Sequence, residues 1–306
     1  MNVLVIGGSG FVGSHLVAAL AARGARVTVP CRRRERAKAL ILLPTVEVIE
    51  ANVNAPAELG ALVAGRDAVI SLAGVLHGPD FARVHVELPQ AIARACRERG
   101  VRRLLHLSAV GAAPDAPSEY LRTKGMGERA VLAAPEIDAT VLRPSVIFGP
   151  NDSFLNQFSG LLGLFPVFPI PSPQAKFQPV YVGDVVAAML AALDSRETCG
   201  KAYDLCGPRV YTMEELVRFV CRVTGRRRLL IPLSDRLSFW QARLMTLWPW
   251  PLITLDNYLS MKVPSTSDQP FPFGIVPASL EAVAPSYLAP AGPRERYSEL
   301  RWHARR

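Results

Sequence analysis

The chain has few cysteines, and they follow no metal-binding or redox pattern. Five cysteines occur in 306 residues, and no two of them form a CxxC pair or stand beside a histidine cluster. This absence argues against the common zinc-ligand spacings and against a disulfide framework. The sequence therefore predicts reduced thiols, no metal site and a cytoplasmic protein.

Long uninterrupted apolar runs are also missing. No stretch of 18 or more uncharged apolar residues occurs, so a transmembrane helix is not expected. The amino terminus, "MNVLVIGGSG", is apolar from its first residues and has no basic segment before them. We interpret it as the first strand of the fold, with no targeting peptide.

Acidic residues are the minority charge. Lys and Arg number 35 against 26 Asp and Glu, a formal net charge of +9. The excess indicates an anionic partner, such as cofactor phosphates, lipid headgroups or an acidic protein face, or else a solvated arginine-rich surface. Nucleic acid is not expected as a partner, because RNP aromatics, zinc fingers and basic heptad helices are all missing.

The first half of the chain alternates short apolar runs with longer amphipathic ones. Continuously apolar strands separated by helices predict a parallel sheet covered on both faces, which is the doubly wound α/β architecture of the Rossmann fold. The predicted strands cover residues 2–7, 26–31, 46–51, 68–73, 103–108 and 140–145.

After Pro144 the composition changes to segments rich in Phe, Pro and Gly. Helices are predicted from Asp184 to about Leu193 and after Thr212, where Glu215 completes a capping box. The later region thus predicts a small, mostly helical C-terminal cap. The expected divisions are a dinucleotide-binding core (1–150), a substrate and cap region interleaved with the last core elements (151–290) and a basic, flexible tail (291–306).

A glycine turn joins the first strand to the first helix. "VIGGSGFVGSH" spaces three glycines as GxxGxxG, which allows a tight turn, close backbone approach to a pyrophosphate and close helix–strand packing. The helix N-terminus supplies N–H groups for the anion. Dinucleotide binding is therefore predicted at Gly7, Gly10, Phe11, Val12 and Gly13.

The end of the second strand bears on which dinucleotide binds. NAD sites usually carry Asp or Glu there to hold the ribose 2′-OH, whereas this strand ends "VPCRRRER". Guanidinium groups of Arg32 and Arg33 can hold a 2′-phosphate, so the sequence favours NADP(H) over NAD(H). The alternative is a solvated basic helix start, although cations are disfavoured at that position.

Two further loops face the same edge of the predicted sheet. Asn52 and Val53 follow the third strand beside the expected adenine position, and Ala73 and Gly74 follow the fourth. Small residues are expected where the chain passes close to a cofactor, although simple packing explains either pair equally well.

Tyr120 and Lys124 are four residues apart in "SEYLRTKGMGERA". In a helix both side chains lie on one face, one turn apart. A phenol beside an ammonium group can transfer a proton near neutral pH, so the pair is either an acid/base catalyst or an ordinary helix surface.

Six segments in order carry a resemblance to a known superfamily: "GGSGFVG", "LAG", "LSAVGA", "YLRTK", "RPSVIFGP" and "PVYVGDVV". Together they resemble the atypical and extended short-chain dehydrogenases/reductases, which include the NAD-dependent epimerases and dehydratases. The region from "SAVGAAP" to "FQPVYVGDV" is most similar to the branch that contains the nucleotide-binding accessory subunit of respiratory complex I and its bacterial relatives.

The resemblance implies catalytic roles for three residues. Tyr120 would be the general acid/base, Lys124 would lower the tyrosine pKa and bind the nicotinamide ribose, and Ser108 would orient the substrate. If Ala109 is the true equivalent of the superfamily's serine, that hydroxyl is absent.

The resemblance also implies that Pro144, Ile147 and Phe148 border the nicotinamide end of the cofactor, and that Asp184 caps a helix.

Two functions follow as hypotheses. The first is an NADP(H)-dependent oxidoreductase acting on a hydrophobic carbonyl or quinone-like substrate, with Tyr120 as proton donor. Its pocket would be lined by "FLNQFSGLLGLFPVFPIP", with Trp240, Trp248 and Trp250 as further candidates. The second is a non-catalytic NADP(H)-binding accessory or redox-sensing subunit of a membrane respiratory complex.

The aromatic segment 238–259 has two interpretations. Exposed, it would rest in a membrane interface with Arg236 and Arg243 near lipid headgroups, which places the protein at the inner face of the membrane. Buried, it would form the core of the cap, because Pro249 and Pro251 interrupt any long amphipathic helix.

Overall fold

The computed structural model describes residues 1–246 and 253–289. Its strands, in chain order, are β1 (Asn2–Ile6), β2 (Arg26–Cys31), β3 (Val46–Glu50), β4 (Ala68–Ser71), β5 (Arg103–Leu107), β6 (Asp138–Pro144), β7 (Ile147–Phe148), β8 (Val167–Ile170), β9 (Lys176–Phe177), β10 (Val180–Tyr181), β11 (Lys201–Leu205), β12 (Tyr211–Thr212) and β13 (Leu229–Pro232). Its α-helices are α1 (Phe11–Ala22), α2 (Lys38–Ile41), α3 (Pro56–Val63), α4 (Leu88–Glu98), α5 (Glu119–Leu132), α6 (Leu155–Leu164), α7 (Val182–Asp194), α8 (Met213–Val223), α9 (Asp235–Thr246), α10 (Leu255–Ser260), α11 (Leu280–Val283) and α12 (Pro285–Leu288).

A seven-stranded parallel sheet forms the centre of the molecule, in the order β11-β6-β5-β4-β1-β2-β3. The order reverses at β1, so the carboxyl ends of β1 and β4 flank the crevice where ligands bind in such sheets. The predicted doubly wound fold is confirmed. Five of the six predicted strands begin at the predicted residue, and each observed strand ends within two residues of its prediction.

Helices cover both faces of this sheet, as its continuously apolar strands require. On one face α1 and α7 pack against side chains such as Val5, Val29 and Leu105. On the other face α3 and α4 pack against Leu4, Val69 and Leu104. The alternation of neighbouring residues between the two clusters is the period-two pattern of a strand buried on both sides.

The C-terminal region is helical and also contains three two-stranded sheets, β10–β7, β12–β9 and β13–β8. Phe148, Phe168, Leu216 and Phe219 belong to its own apolar core. The capping box at Thr212 is present as predicted, since its side chain accepts from the Glu215 N–H and the Glu215 carboxylate accepts in return.

Several sequence predictions fall outside the described residues, namely those on Trp248, Trp250, Pro249 and Pro251 and on the tail 291–306. In the parts of the chain that the structure does describe, every helix is too short or too polar to cross a bilayer.

Candidate active site

The glycine turn is as tight as its spacing predicts. Four residues separate the end of β1 from the start of α1, and Gly7 has a φ of +86° that favours glycine. A Cβ on Gly13 would lie 2.3 Å from the Gly7 carbonyl oxygen, so any side chain there would push α1 off the turn. The close packing holds the helix N-terminus against the carboxyl edge of the sheet.

The first turn of α1 is available to an anion. Gly10 occupies the N-cap position and supplies no side-chain cap, and the next residues, Phe11 and Val12, are half-buried. The first N–H groups of a helix have no partner within it, and the helix dipole adds partial positive charge there. A phosphate group fits this position.

Arg32 and Arg33 are exposed and follow directly after β2, beside the glycine turn in the sheet. Neither guanidinium pairs with a carboxylate among the described residues. The loop after β3 is held by its own polar groups: the Asn52 N–H donates to Glu58 at 2.7 Å, and the Asn52 side chain accepts from the Asn54 N–H at 3.1 Å.

The segment after β4 runs behind the glycine turn and leads to the Tyr120–Lys124 pair. A Cβ on Gly7 would lie 2.9 Å from the backbone nitrogen of Ala73, and a Cβ on Gly74 would lie 3.6 Å from Lys124 Nζ. Ala73 and Val53 pack on the α3 and α4 side of the sheet. The segment thus connects the cofactor edge to α5.

Helix α5 holds Tyr120 and Lys124 one turn apart, as the spacing predicts. Ser118 caps the helix by accepting a hydrogen bond from the Leu121 N–H at 3.2 Å. Lys124 is 5% exposed, and its Nζ donates to the Leu107 carbonyl oxygen at 2.8 Å, at the end of β5. Burial lowers the pKa of Lys124 to about 8, against the opposing charge of Glu128.

The titration of Tyr120 differs from the expectation. The presence of Lys124 predicts a lowered tyrosine pKa, whereas burial raises the pKa of Tyr120 to about 12. The phenol ring is partly buried against apolar and aromatic groups, with its centroid 5.5 Å from the His85 ring and 6.3 Å from the Phe81 ring. Tyr120 is therefore held in its protonated form at neutral pH.

His85 and Thr123 brace the pair, and the sequence reasoning missed both. The Val75 N–H donates to His85 Nε2 at 3.1 Å, which places the imidazole proton on Nδ1, 3.0 Å from Thr123 Oγ1. Thr123 in turn donates to the Glu119 carbonyl oxygen at 2.8 Å. Burial and the charge of Lys124 lower the pKa of His85 to about 3, so the ring is neutral.

The sequence signal for this brace is weak. His85 is a single histidine in "RVHVELPQ", within a π-helical turn (Arg83–Glu87) that precedes α4. Such turns interrupt helices at functional sites, but the sequence pattern predicts only a helix beginning near Val86.

Ser108 and its neighbours place unpaired polar atoms beside the site. Ser108 is 3% exposed, and among the described residues its Oγ has no hydrogen-bond partner. The same holds for Ser71 Oγ and both ring nitrogens of His106, which are register partners on β4 and β5. Buried polar atoms are normally satisfied, so this edge fits a polar ligand group.

Ala109 packs with Tyr120. Ala109 is buried in a small cluster with Ala116 and Leu121, against which Tyr120 and Val263 pack. The methyl group of Ala109 therefore contributes to the apolar surroundings of Tyr120.

Comparisons with known proteins identify the family of the chain. Residues 3–206 match the model of the NAD dependent epimerase/dehydratase family. The chain belongs to this family. The predicted resemblance to extended short-chain dehydrogenases/reductases is confirmed, and the chain is a member of a family of NAD(P)-dependent oxidoreductases.

Three similar proteins illustrate the range of the epimerase/dehydratase family. The chain is 30% identical to NADH dehydrogenase (ubiquinone) 1 alpha subcomplex subunit 9, mitochondrial, of Mus musculus, over 97% of this chain and 81% of the relative. It is 33% identical to "Ceramide reductase" of Caulobacter vibrioides, over 76% of this chain and 74% of the relative. The structure of MoeE5 in complex with UDP-glucose and NAD aligns with a TM-score of 0.65 and 25% identity, over 78% of this chain and 87% of that chain.

The remaining predicted positions frame the carboxyl end of β6. Pro144 is buried there, and its carbonyl oxygen accepts from the Val110 N–H at 3.0 Å. Ile147 follows in β7, half-buried against the α1 and α7 side of the sheet.

One prediction near this edge is wrong. Tyr181 occupies the N-cap of α7, and Asp184 is the third residue of the helix. The Asp184 carboxylate accepts from the Ala278 N–H at 2.7 Å, so it ties α7 to the C-terminal segment and does not cap the helix.

The residues of this epimerase/dehydratase-family chain fit a nicotinamide dinucleotide. The uncapped N-terminus of α1, the close Gly13 packing and the unpaired Ser108 hydroxyl would meet its pyrophosphate and its ribose end. In the described part of the chain, no group of three His, Cys, Asp or Glu side chains is placed to hold a metal ion.

Proposed function

We propose that the chain is an NADP(H)-dependent oxidoreductase that reduces a hydrophobic carbonyl or quinone-like substrate, with Tyr120 as the proton donor. The observation that carries this proposal is the position of the Tyr120–Lys124 pair on α5. Lys124 Nζ donates a hydrogen bond to the end of β5, at the same edge of the sheet as the glycine turn. The carboxyl edge of such a sheet is where the ligand binds.

A nicotinamide cofactor, when bound, would supply the hydride that the carbonyl carbon accepts. Tyr120 donates the phenolic proton to the developing alkoxide, which leaves an alcohol and a phenolate that regains its proton from solvent. The raised pKa of Tyr120 keeps this proton in place at neutral pH, and an alkoxide is the stronger base. The Lys124 ammonium stabilises the phenolate that forms.

NADP(H) is proposed over NAD(H) because of the end of β2. Arg32 and Arg33 are exposed, follow Cys31 directly and have no carboxylate partner among the described residues. A 2′-phosphate would gain charge-assisted hydrogen bonds from them, whereas a free 2′-OH would meet no carboxylate on this strand.

The apolar substrate is supported by one relative and not by the packing of the predicted pocket lining. Phe154, Phe158 and Phe168 form an aromatic chain with centroid separations of 5.1 Å and 6.2 Å, so part of the predicted pocket lining packs within the cap. The relative named "Ceramide reductase" supports a lipid-like carbonyl substrate.

A second candidate function is a non-catalytic NADP(H)-binding accessory or redox-sensing subunit of a membrane respiratory complex. The observation that favours it is the packing of Tyr120 against Ala109, which would supply no hydroxyl if it stands at the superfamily's serine position. The mitochondrial relative named as a subunit of NADH dehydrogenase supports the same alternative.

Turnover measurements separate the two functions. NADPH oxidation is followed with quinones and with long-chain ketones for the wild type and Tyr120→Phe, with NADPH affinity measured on the same samples. We expect equal affinity and a loss of turnover of about 100-fold or more in the variant. Bound NADPH with no Tyr120-dependent turnover on any acceptor would favour the accessory function.

A further inference from the structure

The cap presents an apolar sheet face to solvent. Leu229 of β13 pairs in register with Val167 of β8, and they are 62% and 43% exposed. Ile231, two residues further along the strand, lies on the same face and is 42% exposed. The opposite face carries Phe168 and Ile170, which are buried in the cap core.

Helix α9 adds an apolar stripe immediately after this sheet. Leu237, Trp240 and Leu244 are spaced three and four residues apart, so they share one helix face, and they are 56%, 56% and 65% exposed. The opposite side of α9 packs against the protein. Ala242 is fully buried there, and the Ser238 hydroxyl accepts a hydrogen bond from the Ser172 N–H at 3.0 Å.

These two features are connected by a short link. Two residues join β13 to α9, and the N–H of the first, Leu233, donates to the Ile170 carbonyl oxygen at 3.0 Å. We call the exposed side chains of this region the cap surface, and its members are Val167, Leu229, Ile231, Leu237, Trp240 and Leu244.

The segments around the cap surface carry more basic than acidic side chains. Between residues 153 and 183, and again between residues 216 and 255, the single acidic residue is Asp235. Its carboxylate already has partners within the chain, since Tyr258 donates a hydrogen bond to it at 2.8 Å and Lys262 forms an ion pair with it. The cap surface therefore has no free carboxylate of its own in these segments.

Three arginines accompany the apolar side chains. Among the described residues, Arg227, Arg236 and Arg243 pair with no carboxylate, and all three are exposed. The Arg243 guanidinium lies over the Trp240 ring, 5.7 Å from its centroid. Aromatic and guanidinium groups side by side are typical of the level at which headgroups meet acyl chains.

We propose that the cap surface docks the protein onto an anionic lipid bilayer. Leucine, isoleucine and tryptophan side chains enter the headgroup boundary, and the arginines bind lipid phosphates. A second copy of the chain fits less well. A two-fold interface would place the cap surface of one copy against the same surface of the other, and the arginines would find no carboxylate partner there. The inference does not depend on hydride transfer.

Sedimentation of the full chain with vesicles tests the proposal without cofactor or substrate. The vesicles are made of phosphatidylcholine alone or of phosphatidylcholine with roughly 30% phosphatidylglycerol. The second composition imitates the negative surface of a cytoplasmic leaflet. We expect binding to the anionic vesicles, weaker binding to the neutral ones, and loss of binding in high salt.

Two pairs of variants locate the binding surface. We expect Leu237→Ser with Leu244→Ser to weaken vesicle binding by about tenfold or more, because two apolar side chains no longer insert. The matched control is Leu42→Ser, since Leu42 is 84% exposed on the segment between β2 and β3. Vesicle binding is also measured for the double variant Arg236→Gln, Arg243→Gln. Its control is the double variant Arg94→Gln, Arg97→Gln on α4.

Three results would overturn the proposal. The first is a wild-type protein that stays in the supernatant with both vesicle compositions. The second is an α9 variant that binds vesicles as well as the Leu42→Ser control. The third is a dimer in solution that dissociates in the α9 variant, which would assign the surface to a second copy. All these side chains are exposed, so the variants keep the fold, and circular dichroism checks this.

Discussion

At the scale of single residues, Tyr120 and Lys124 are the proposed catalytic pair, and His85 helps to fix their positions. The imidazole of His85 receives a hydrogen bond from the segment after β4 and is hydrogen-bonded to Thr123, which lies between the two catalytic candidates on α5. His85 is thus a positioning residue, since it contacts the loop beside the cofactor edge and the helix that carries the pair.

Removing this brace is expected to slow turnover without weakening cofactor binding. We expect His85→Phe to lower kcat by about tenfold, because small misplacements of reacting groups are costly, and to leave the Kd for NADPH nearly unchanged. Thr123→Val should produce the same loss, and the double variant should be no worse than either single one. Additive losses in kcat would show that the two residues act separately.

The buried histidines predict a pH dependence of stability. Burial lowers the pKa of His85 and His106 to about 3. Both gain protons more readily in the unfolded chain, so their contribution to stability is complete above pH 6.5 and falls as the pH drops toward 3. At pH 5 we expect a loss of roughly 2 kcal/mol for each histidine.

Denaturant unfolding between pH 5 and pH 7 measures this loss. His106→Leu should reduce the slope of the unfolding free energy against pH. A slope that is unchanged in the variant would show that the pKa of His106 is the same in the folded and unfolded protein.

Binding of the cofactor's 2′-phosphate by Arg32 and Arg33 can also be tested with single-residue changes. We expect Arg32→Ala with Arg33→Ala to weaken NADPH binding by about tenfold or more, because charge-assisted hydrogen bonds to the 2′-phosphate are lost, and to leave NADH binding almost unchanged. Calorimetric titration with both cofactors checks this expectation. An equal loss for the two cofactors would contradict the assignment of these arginines to the 2′-phosphate.

At the scale of elements, the strand–turn–helix unit of β1 and α1 forms the proposed phosphate-binding turn. A Cβ on Gly13 would meet backbone atoms of Gly7 and Gly8 at 2.3 Å and 2.6 Å, and backbone atoms there cannot move aside without shifting the turn. Gly160 on α6 is the matched control, because a Cβ there meets nothing within 4 Å.

Gly13→Ala and Gly160→Ala should therefore have opposite effects. We expect Gly13→Ala to lower the melting temperature and to weaken NADPH binding. Gly160→Ala should stabilise the protein by about 0.5–1 kcal/mol, because alanine is the better helix former. Thermal melts with and without NADPH measure both effects. Normal NADPH binding in Gly13→Ala would contradict the close packing of the turn.

The elements also show what could be predicted from the sequence. The glycine turn, the capping box at Thr212 and the Tyr120–Lys124 spacing depend on residues within one or two turns of each other, and short-range patterns reveal such features. The sheet of β8 and β13 joins residues about sixty positions apart, and the Asp184 hydrogen bond to Ala278 spans more. The His85 brace is likewise a contact between separate elements. No local pattern specifies these pairings, so they emerge only from the fold.

At the scale of the whole molecule, the described structure separates two surfaces. The carboxyl edge of the parallel sheet gathers the glycine turn, the arginines after β2 and the α5 pair, whereas the cap surface lies on β8, β13 and α9. The net charge of +9 suits both surfaces, since each is proposed to face phosphate groups. An apolar substrate taken from a bilayer would suit this arrangement.

The most direct measurement of the central claim is deuteride transfer from NADPH that carries deuterium at C4 of the nicotinamide. The account predicts deuterium at the carbinol carbon of the product from a long-chain ketone with the wild type. Tyr120→Phe, which binds NADPH equally, should form about 100-fold less of that product. A wild-type protein that binds NADPH and forms deuterated product no faster than Tyr120→Phe would contradict the account.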